Sequence, residues 1–140
     1  TELFTDINAN LAGAYYSSAN WGDYDNDGDL DILVTGTKGS NSIAKVYRND
    51  SGNFTDINAA LKGVNNSSID WGDYDRDGDL DILLTGLDDT SNAVSKVYRN
   101  DGGNFTDVSA NLPGVWNSSA NWGDYDNDGD LDILLTGVTI

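Results

Sequence analysis

Hydrophobic and polar positions recur along this chain with a period near fifty residues. Trp21-Gly22-Asp23-Tyr24-Asp25 returns at Trp71 and at Trp122, spacings of 50 and 51 residues. Phe4-Thr5-Asp6 returns at Phe54 and Phe105, and Lys45-Val46-Tyr47-Arg48-Asn49-Asp50 returns at Lys96. Within one period the pattern implies four short strands. Ser17 to Tyr24 is small and polar until it reaches Trp-Gly, which suits a crowded innermost strand. Leu30 to Thr35 centres on the unbroken apolar run Ile32-Leu33-Val34. That run predicts a second strand buried on both faces, because a one-sided sheet would alternate. Ile43 to Arg48 predicts the third strand. Phe54 to Ile57, mirrored by Phe105 to Val108, predicts the fourth. Asn49-Asp50-Ser51-Gly52 and Asn100-Asp101-Gly102-Gly103 are turn sequences between the last two. Gly, Asn, Asp and Ser punctuate the chain too often for helix.

The expected fold class is therefore all-β: propeller blades of four antiparallel strands, in about three repeats, the last one incomplete. Residues 1–140 read as a single repeat domain, with repeats at about 4–53, 54–104 and 105–140. The register of the ends adds detail. The chain opens on a fourth strand, Glu2 to Ile7, and closes just after a second strand, at Val138 to Ile140. The opening strand is expected to complete the last blade from outside, which still leaves that blade without a third strand. Eleven strands do not close a ring, and exposed edges promote association. Either copies of this chain form a homo-oligomer, or the chain belongs to the remainder of a longer propeller. The uniformity of the repeats points to recent duplication or a designed consensus.

Charge changes the picture next. The chain carries 24 acidic and 7 basic residues, a formal charge of −17. No nucleic acid is expected as a partner, since phosphate contacts need clustered Lys and Arg. No apolar run approaches the length of a membrane span, so no membrane insertion is expected. The acids are not spread as a solubilising surface. Asp23, Asp25, Asp27, Asp29 and Asp31 form one cluster, and Asp73, Asp75, Asp77, Asp79 and Asp81 a second. Asp124, Asp126, Asp128, Asp130 and Asp132 form the third, so that 15 of the 24 acids sit in short loops. The absence of Cys, His and Met removes disulfides, the usual zinc and copper ligands, and any Ser-His-Asp or Cys-His arrangement.

Each cluster has the pattern D-x-D-x-D-G-x-x-D. Positions 1, 3 and 5 let three carboxylates converge as the backbone curls. Gly28 at position 6 permits a sharp turn at positive φ. The carbonyl of position 7, Asp29, can then face an ion, with its own carboxylate left in solvent, and Asp31 at position 9 closes the site. Bidentate binding or water would complete the six to eight oxygens that Ca²⁺ prefers, whereas Mg²⁺ demands a tighter octahedron. Two carboxylates ~4 Å apart repel by about 4 kcal/mol at an effective dielectric of about 20, so such a cluster calls for a cation. One Ca²⁺ per repeat is expected, about three in all. The loop is not an EF-hand: position 12 is Val34, Leu84 or Leu135 rather than Glu, and no helices flank it.

The run Trp-Gly-Asp-Tyr-Asp-Asn-Asp-Gly-Asp-Leu-Asp-Ile-Leu, followed by Tyr-Arg-Asn-Asp and Asn-Phe-Thr-Asp, closely resembles the FG-GAP/VCBS repeat. That repeat builds the propellers of integrin α subunits and of many secreted bacterial proteins. The resemblance implies a seven-bladed or similar propeller with calcium between the first and second strands. By motif it assigns ligand roles to all fifteen aspartates above, with position 7 acting through its carbonyl.

The function expected is a non-catalytic module for extracellular adhesion or for recognition of a protein or carbohydrate, secreted or at the cell surface. Calcium would be structural. Loops preceding each first strand differ between repeats: Tyr15-Tyr16, Asn65-Asn66 and Trp116-Asn117. Tyr15, Tyr16 and Trp116 are therefore the candidate ligand-binding residues, since aromatics paired with Asn suit stacking on sugars or peptides. Trp21, Trp71 and Trp122 are expected to pack in the core. Lys45, Arg48, Lys96 and Arg99 are expected to be solvated. An alternative reading is a structural or engineered self-assembling unit without a small ligand. A carboxylate-dependent glycosidase is a further alternative, which the capture of clustered acids by metal disfavours.

Overall fold

The computed structural model describes residues 3–140. Among these residues there is no helix, and ten strands form three antiparallel sheets. The first sheet is β1 (Tyr15–Gly22), β2 (Asp31–Lys38), β3 (Asn41–Asp50) and β4 (Asn53–Asp56), paired in that order. The second repeats it with β5 (Asn65–Gly72), β6 (Asp81–Leu87), β7 (Ala93–Asp101) and β8 (Asn104–Asp107). The third holds β9 (Trp116–Gly123) and β10 (Asp132–Val138). These sheets are consistent with successive propeller blades in an arrangement that is not closed.

The strand pattern follows from the residues. Positions 31–36 of β2 and 81–86 of β6 are buried without a break; β6 lies between two sheets, whereas the outward face of β2 is covered by Leu11, Ala12 and Phe54. β10 carries the same sequence but alternates between half-buried and exposed, since only one of its faces is covered by the described residues. The β3–β4 turn is tight. Ser51 at φ 51° and Gly52 at φ 93° give the paired left-handed conformations that match strand twist.

Two expectations fail. Leu3 to Ile7 form no strand, and Glu2 lies outside the described residues. Phe54-Thr55-Asp56 pairs with β3 and Phe105-Thr106-Asp107 with β7, whereas Phe4-Thr5-Asp6 has no third strand among the described residues to pair with. Phe4 is accordingly 93% exposed. Of the basic residues of the third strands, Arg48 and Arg99 are exposed as expected, whereas Lys45 and Lys96 are half-buried; all four are paired. Lys45 pairs with Asp56 across the hairpin and Lys96 with Asp107. Arg48 donates to Asp50 Oδ2 through Nε (3.1 Å) and through Nη2 (2.8 Å), and Arg99 does the same with Asp101.

Sheets stack through their first strands: β1 lies against β5, and β5 against β9. The tryptophans define the contact. A Cβ on Gly22 would lie 2.7 Å from the Trp71 ring, and one on Gly72 would lie 2.6 Å from Trp122. Each ring thus sits on the glycine of the preceding blade. Trp71 also stacks on Tyr24, with centroids 6.5 Å apart and planes 10° apart, and Trp122 stacks likewise on Tyr74. Core packing therefore holds for two of the three tryptophans. Trp21 meets the Phe54 ring at 6.3 Å and remains 59% exposed. Polar contacts follow the same register: Thr35 Oγ1 meets Ser67 Oγ at 2.8 Å, and Thr85 Oγ1 meets Ser118 Oγ at 2.7 Å.

The connections between blades are as tightly packed. The amide of Gly36 donates to Val64 O at 2.9 Å. Beside it, a Cβ on Gly63 would lie 2.2 Å from the Ser42 carbonyl oxygen, while one on Gly13 would meet nothing within 4 Å. The two glycines occupy equivalent places and should respond differently to substitution. Gly63→Ala is expected to destabilise by about 1–3 kcal/mol, since backbone must move to admit the methyl group. Gly13→Ala is expected to leave the unfolding midpoint in urea unchanged.

Candidate metal centre

Each aspartate loop joins the first strand of a blade to the second. Two residues per loop take left-handed backbone conformations. Asn26 and Gly28 have φ of 59° and 95°, Arg76 and Gly78 61° and 98°, and Asn127 and Gly129 61° and 92°. These reversals wind the chain so that its side chains point inward. The carboxylate of position 1 is the hub. Asp23 Oδ1 accepts from the amide of Asp27 (3.1 Å) and Oδ2 from that of Gly28 (3.0 Å). Asp73 and Asp124 bind the corresponding amides of their loops.

Position 9 anchors the loop from the other side. Asp31 is fully buried; its Oδ2 accepts from the Tyr24 amide (3.0 Å) and its Oδ1 from the Asn49 amide (2.8 Å). Asp81 does the same with Tyr74 and Asn100. Burial holds the Asp81 carboxyl up at about 6, against the pull of those two amides in the other direction. Burial likewise raises the Asp31 carboxyl.

Carboxylate oxygens converge in every loop. Asp23, Asp25 and Asp27 offer oxygens all within 4.8 Å of one another, as do Asp73, Asp75 and Asp81, and Asp124, Asp126 and Asp132. Positions 1 and 3 belong to all three groups. The third member is position 5 in the first loop and position 9 in the other two. Asp27, Asp77 and Asp128 each turn an oxygen to the amide of position 7, at 2.8, 2.9 and 2.8 Å. Position 3 stands apart. Asp25 Oδ1 is buried with no hydrogen-bond partner, and burial raises its carboxyl above the ordinary aspartate range. An orphaned, buried carboxylate oxygen facing two further carboxylates fits a cation bound among them. An all-oxygen donor set fits a hard one.

Position 7 departs from the sequence reading. Its carboxylate is not simply solvated. Asp29 Oδ2 accepts from the Ser51 amide in the β3–β4 turn (2.8 Å), and Asp79 Oδ2 accepts from Gly102 (3.1 Å). The remaining oxygen of Asp79 takes a hydrogen bond at 2.9 Å from Asn26 of the preceding loop. Arg76 pairs with Asp130 in the same sense. Position 4 thus links each loop to the next, a role the sequence reading did not assign; the polar side chains recurring there (Asn26, Arg76, Asn127) were its only signal. Asn100 was missed too: its amide donates to Tyr24 O of the preceding blade at 2.9 Å.

The candidate ligand-binding aromatics lie at the opposite end of the first strands. Each marks a β-bulge, with Tyr16, Asn66 and Asn117 at φ of 49°, 46° and 44°. Tyr15 and Tyr16 meet edge to face at 5.2 Å and are more than half exposed. Trp116 is half-buried on β9, two blades away, and no ring contact joins it to them. The tyrosines form one surface feature and Trp116 another.

Geometry and sequence converge on a family. The FG-GAP-like repeat matches residues 23–84 and 85–135, and the two segments together include all three aspartate loops. The chain belongs to this family. FG-GAP-like repeats are typical of extracellular proteins and are generally non-enzymatic. No match was found among curated proteins or solved structures. Among the described residues, no helix is long and apolar enough to cross a membrane.

The loops predict two classes of aspartate. Asp81→Ala leaves two backbone N–H groups without their acceptor, and is expected to lower stability by about 1–3 kcal/mol even in chelator. Asp75 accepts no hydrogen bond from the described residues and only repels its neighbours when no cation is bound, so Asp75→Asn in chelator is expected to melt no lower than the parent. Thermal melts of both in excess EDTA make the comparison.

Proposed function

We propose that this FG-GAP-like chain is a non-catalytic calcium-binding module, with one structural Ca²⁺ in each aspartate loop. The observation that carries the reading is the threefold convergence of carboxylate oxygens within 4.8 Å, with Asp25 Oδ1 buried and unpartnered in the first cluster. Positions 1, 3, 5 and 9 would supply carboxylate oxygens and position 7 its carbonyl. Three divalent ions would offset six of the excess negative charges of a −17 chain. The ion would fix the loop that neighbours both the Tyr24 amide and the next blade, and so hold the register between sheets.

The module is proposed to act outside the cell in adhesion or recognition. Extracellular calcium modules work with Kd as weak as about 10⁻⁴–10⁻³ M. A recognition surface is proposed around Tyr15 and Tyr16, with Trp116 as a second element on the same end of the sheets. Exposed, edge-to-face aromatics offer rigid apolar area with polar tips, which suits a sugar or peptide.

Calcium titration by calorimetry should give about three ions per chain. Free calcium at about 100 times Kd should add about 2.7 kcal/mol per site. Asp75→Asn should remove one ion from the stoichiometry and part of the calcium-dependent rise in melting temperature, while its melt in chelator does not fall below the parent's. A parent protein that melts identically with calcium and with EDTA would exclude the structural role. Affinity should also depend on pH in a defined direction. The proton on Asp81, held to about 6, competes with the ion. Binding at the second loop is therefore expected to weaken as pH falls through about 6 and to be insensitive to pH well above it.

A further inference from the structure

We infer that the two end faces of this molecule are halves of one interface, and that a second copy of the chain docks head to tail by seating its Trp21 on Gly123. The argument rests on interfaces already present twice within the chain. Gly22 carries Trp71, and Gly72 carries Trp122. Gly123 completes the series, and a Cβ there would meet nothing among the described residues within 4 Å. Trp122, Gly123, Tyr125, Ile133 and Leu134 line an open pocket at this point. Asn121, Asp124 and Asp132 edge it, and its apolar members Tyr125 and Leu134 are exposed where their counterparts are covered. Leu33 and Leu83 are 0% exposed but Leu134 is 66%; Tyr24 is 4% exposed but Tyr125 is 81%. At the other end, Trp21 is 59% exposed and already braced on Phe54, as Trp71 is on Phe105.

The polar register matches as well. Blade one presents Ser17, Asp29 and Asn49, the counterparts of Ser67, Asp79 and Asn100, which meet Thr35, Asn26 and Tyr24 O of the preceding blade. The third blade offers Thr136, Asn127 and the Tyr125 carbonyl to receive them. Asp29 has one oxygen on Ser51, and its other corresponds to the Asp79 oxygen that accepts from Asn26. One exposed face thus carries the knob, the other the seat, and each repeats residues that fit one another inside the chain. Such a contact is heterologous, so the copies add in one direction until a ring closes or a filament grows.

Light scattering across a wide concentration range, in millimolar calcium and moderate salt, tests the proposal. The parent chain is expected to form multimers. Gly123→Leu fills the seat without a clash inside its own chain, and Trp21→Ala removes the knob. Each should weaken self-association by at least about 30-fold, the loss of a buried Trp anchor. Each should keep the parent's far-UV spectrum. Mixing the two variants leaves one intact junction, Trp21 of the Gly123→Leu chain on Gly123 of the Trp21→Ala chain, and should give a complex of one copy of each and nothing larger. A parent chain that stays monomeric throughout would overturn the proposal and assign these faces to a different partner. Multimers unaffected by either variant would overturn it as well.

Discussion

The structure depends on one contact, an indole ring laid on the glycine of the preceding blade. A β-blade that is apolar on both faces has no stable surface until something covers it. Here the cover is the next repeat, and Trp on Gly sets how closely the two approach. The ring needs the missing side chain: at Gly22 or Gly72 a single methyl group would lie less than 3 Å from it. Tyr24, Trp71 and Phe105 then close into a three-ring cluster, each pair of centroids 5.7–6.5 Å apart. Once first strands are held at this distance, Thr meets Ser across the gap, and Asn20 reaches Asp70 of the next blade at 3.3 Å. The aspartate loops follow directly after the Trp-Gly pair, so the same contact also aligns the loops of successive blades.

That alignment lets a strongly acidic chain keep its carboxylates close together. The aspartates divide the work. Positions 1 and 9 neutralise backbone N–H groups of the loop and of the third strand, and position 7 holds the third-to-fourth-strand turn. Position 3 does least of this, with Asp126 accepting one long hydrogen bond from the Asp128 amide at 3.3 Å, and at Asp25 a buried oxygen is left without a donor. Loop shape is thus stabilised by protein hydrogen bonds, and the charge concentrated at position 3 is what a cation would have to balance. The arrangement also explains why burial raises Asp31 and Asp81 even though each accepts two amides. The hydrogen bonds fix their place, but they do not replace lost water for a full negative charge.

Much of this was legible in the sequence. Strand order, the double-sided burial of Ile32-Leu33-Val34, the turn at Ser51-Gly52 and the positive φ of Gly28 follow from local chemistry that needs no neighbour. The three clusters were legible because alternating Asp on a tight turn has few other outcomes. What was not legible involves contacts between repeats. Nothing in Asn26 itself says that it reaches Asp79, 53 positions on. Nothing in Asp29 says that its carboxylate holds the turn at Ser51, 22 positions on. Phe4-Thr5-Asp6 matches two genuine strands residue for residue, yet forms no strand and stays exposed, because a strand is a pairing and its partner is not among the described residues. The paired lysines were misread for a related reason: their carboxylates, Asp56 and Asp107, sit across the hairpin.

The repeats make this distinction unusually clear, because near-identical sequences stand in three different surroundings. Leu33, Leu83 and Leu134 share one motif; the first two are completely buried and the third is mostly exposed. Tyr24, Tyr74 and Tyr125 run from buried through half-buried to exposed. Fully burying such a side chain is worth about 1.5–3 kcal/mol, so the same residue contributes very different amounts in different blades. Stability in such an array belongs to interfaces between units more than to the units themselves. A blade sequence therefore encodes two half-interfaces, knob on one face and seat on the other, and its hydrophobicity is justified only when both are filled. The residues that specify how a blade folds are the same residues that specify what stacks upon it. Within this chain, folding and the stacking of blades are consequently one chemical problem, solved by one Trp-Gly pair used twice.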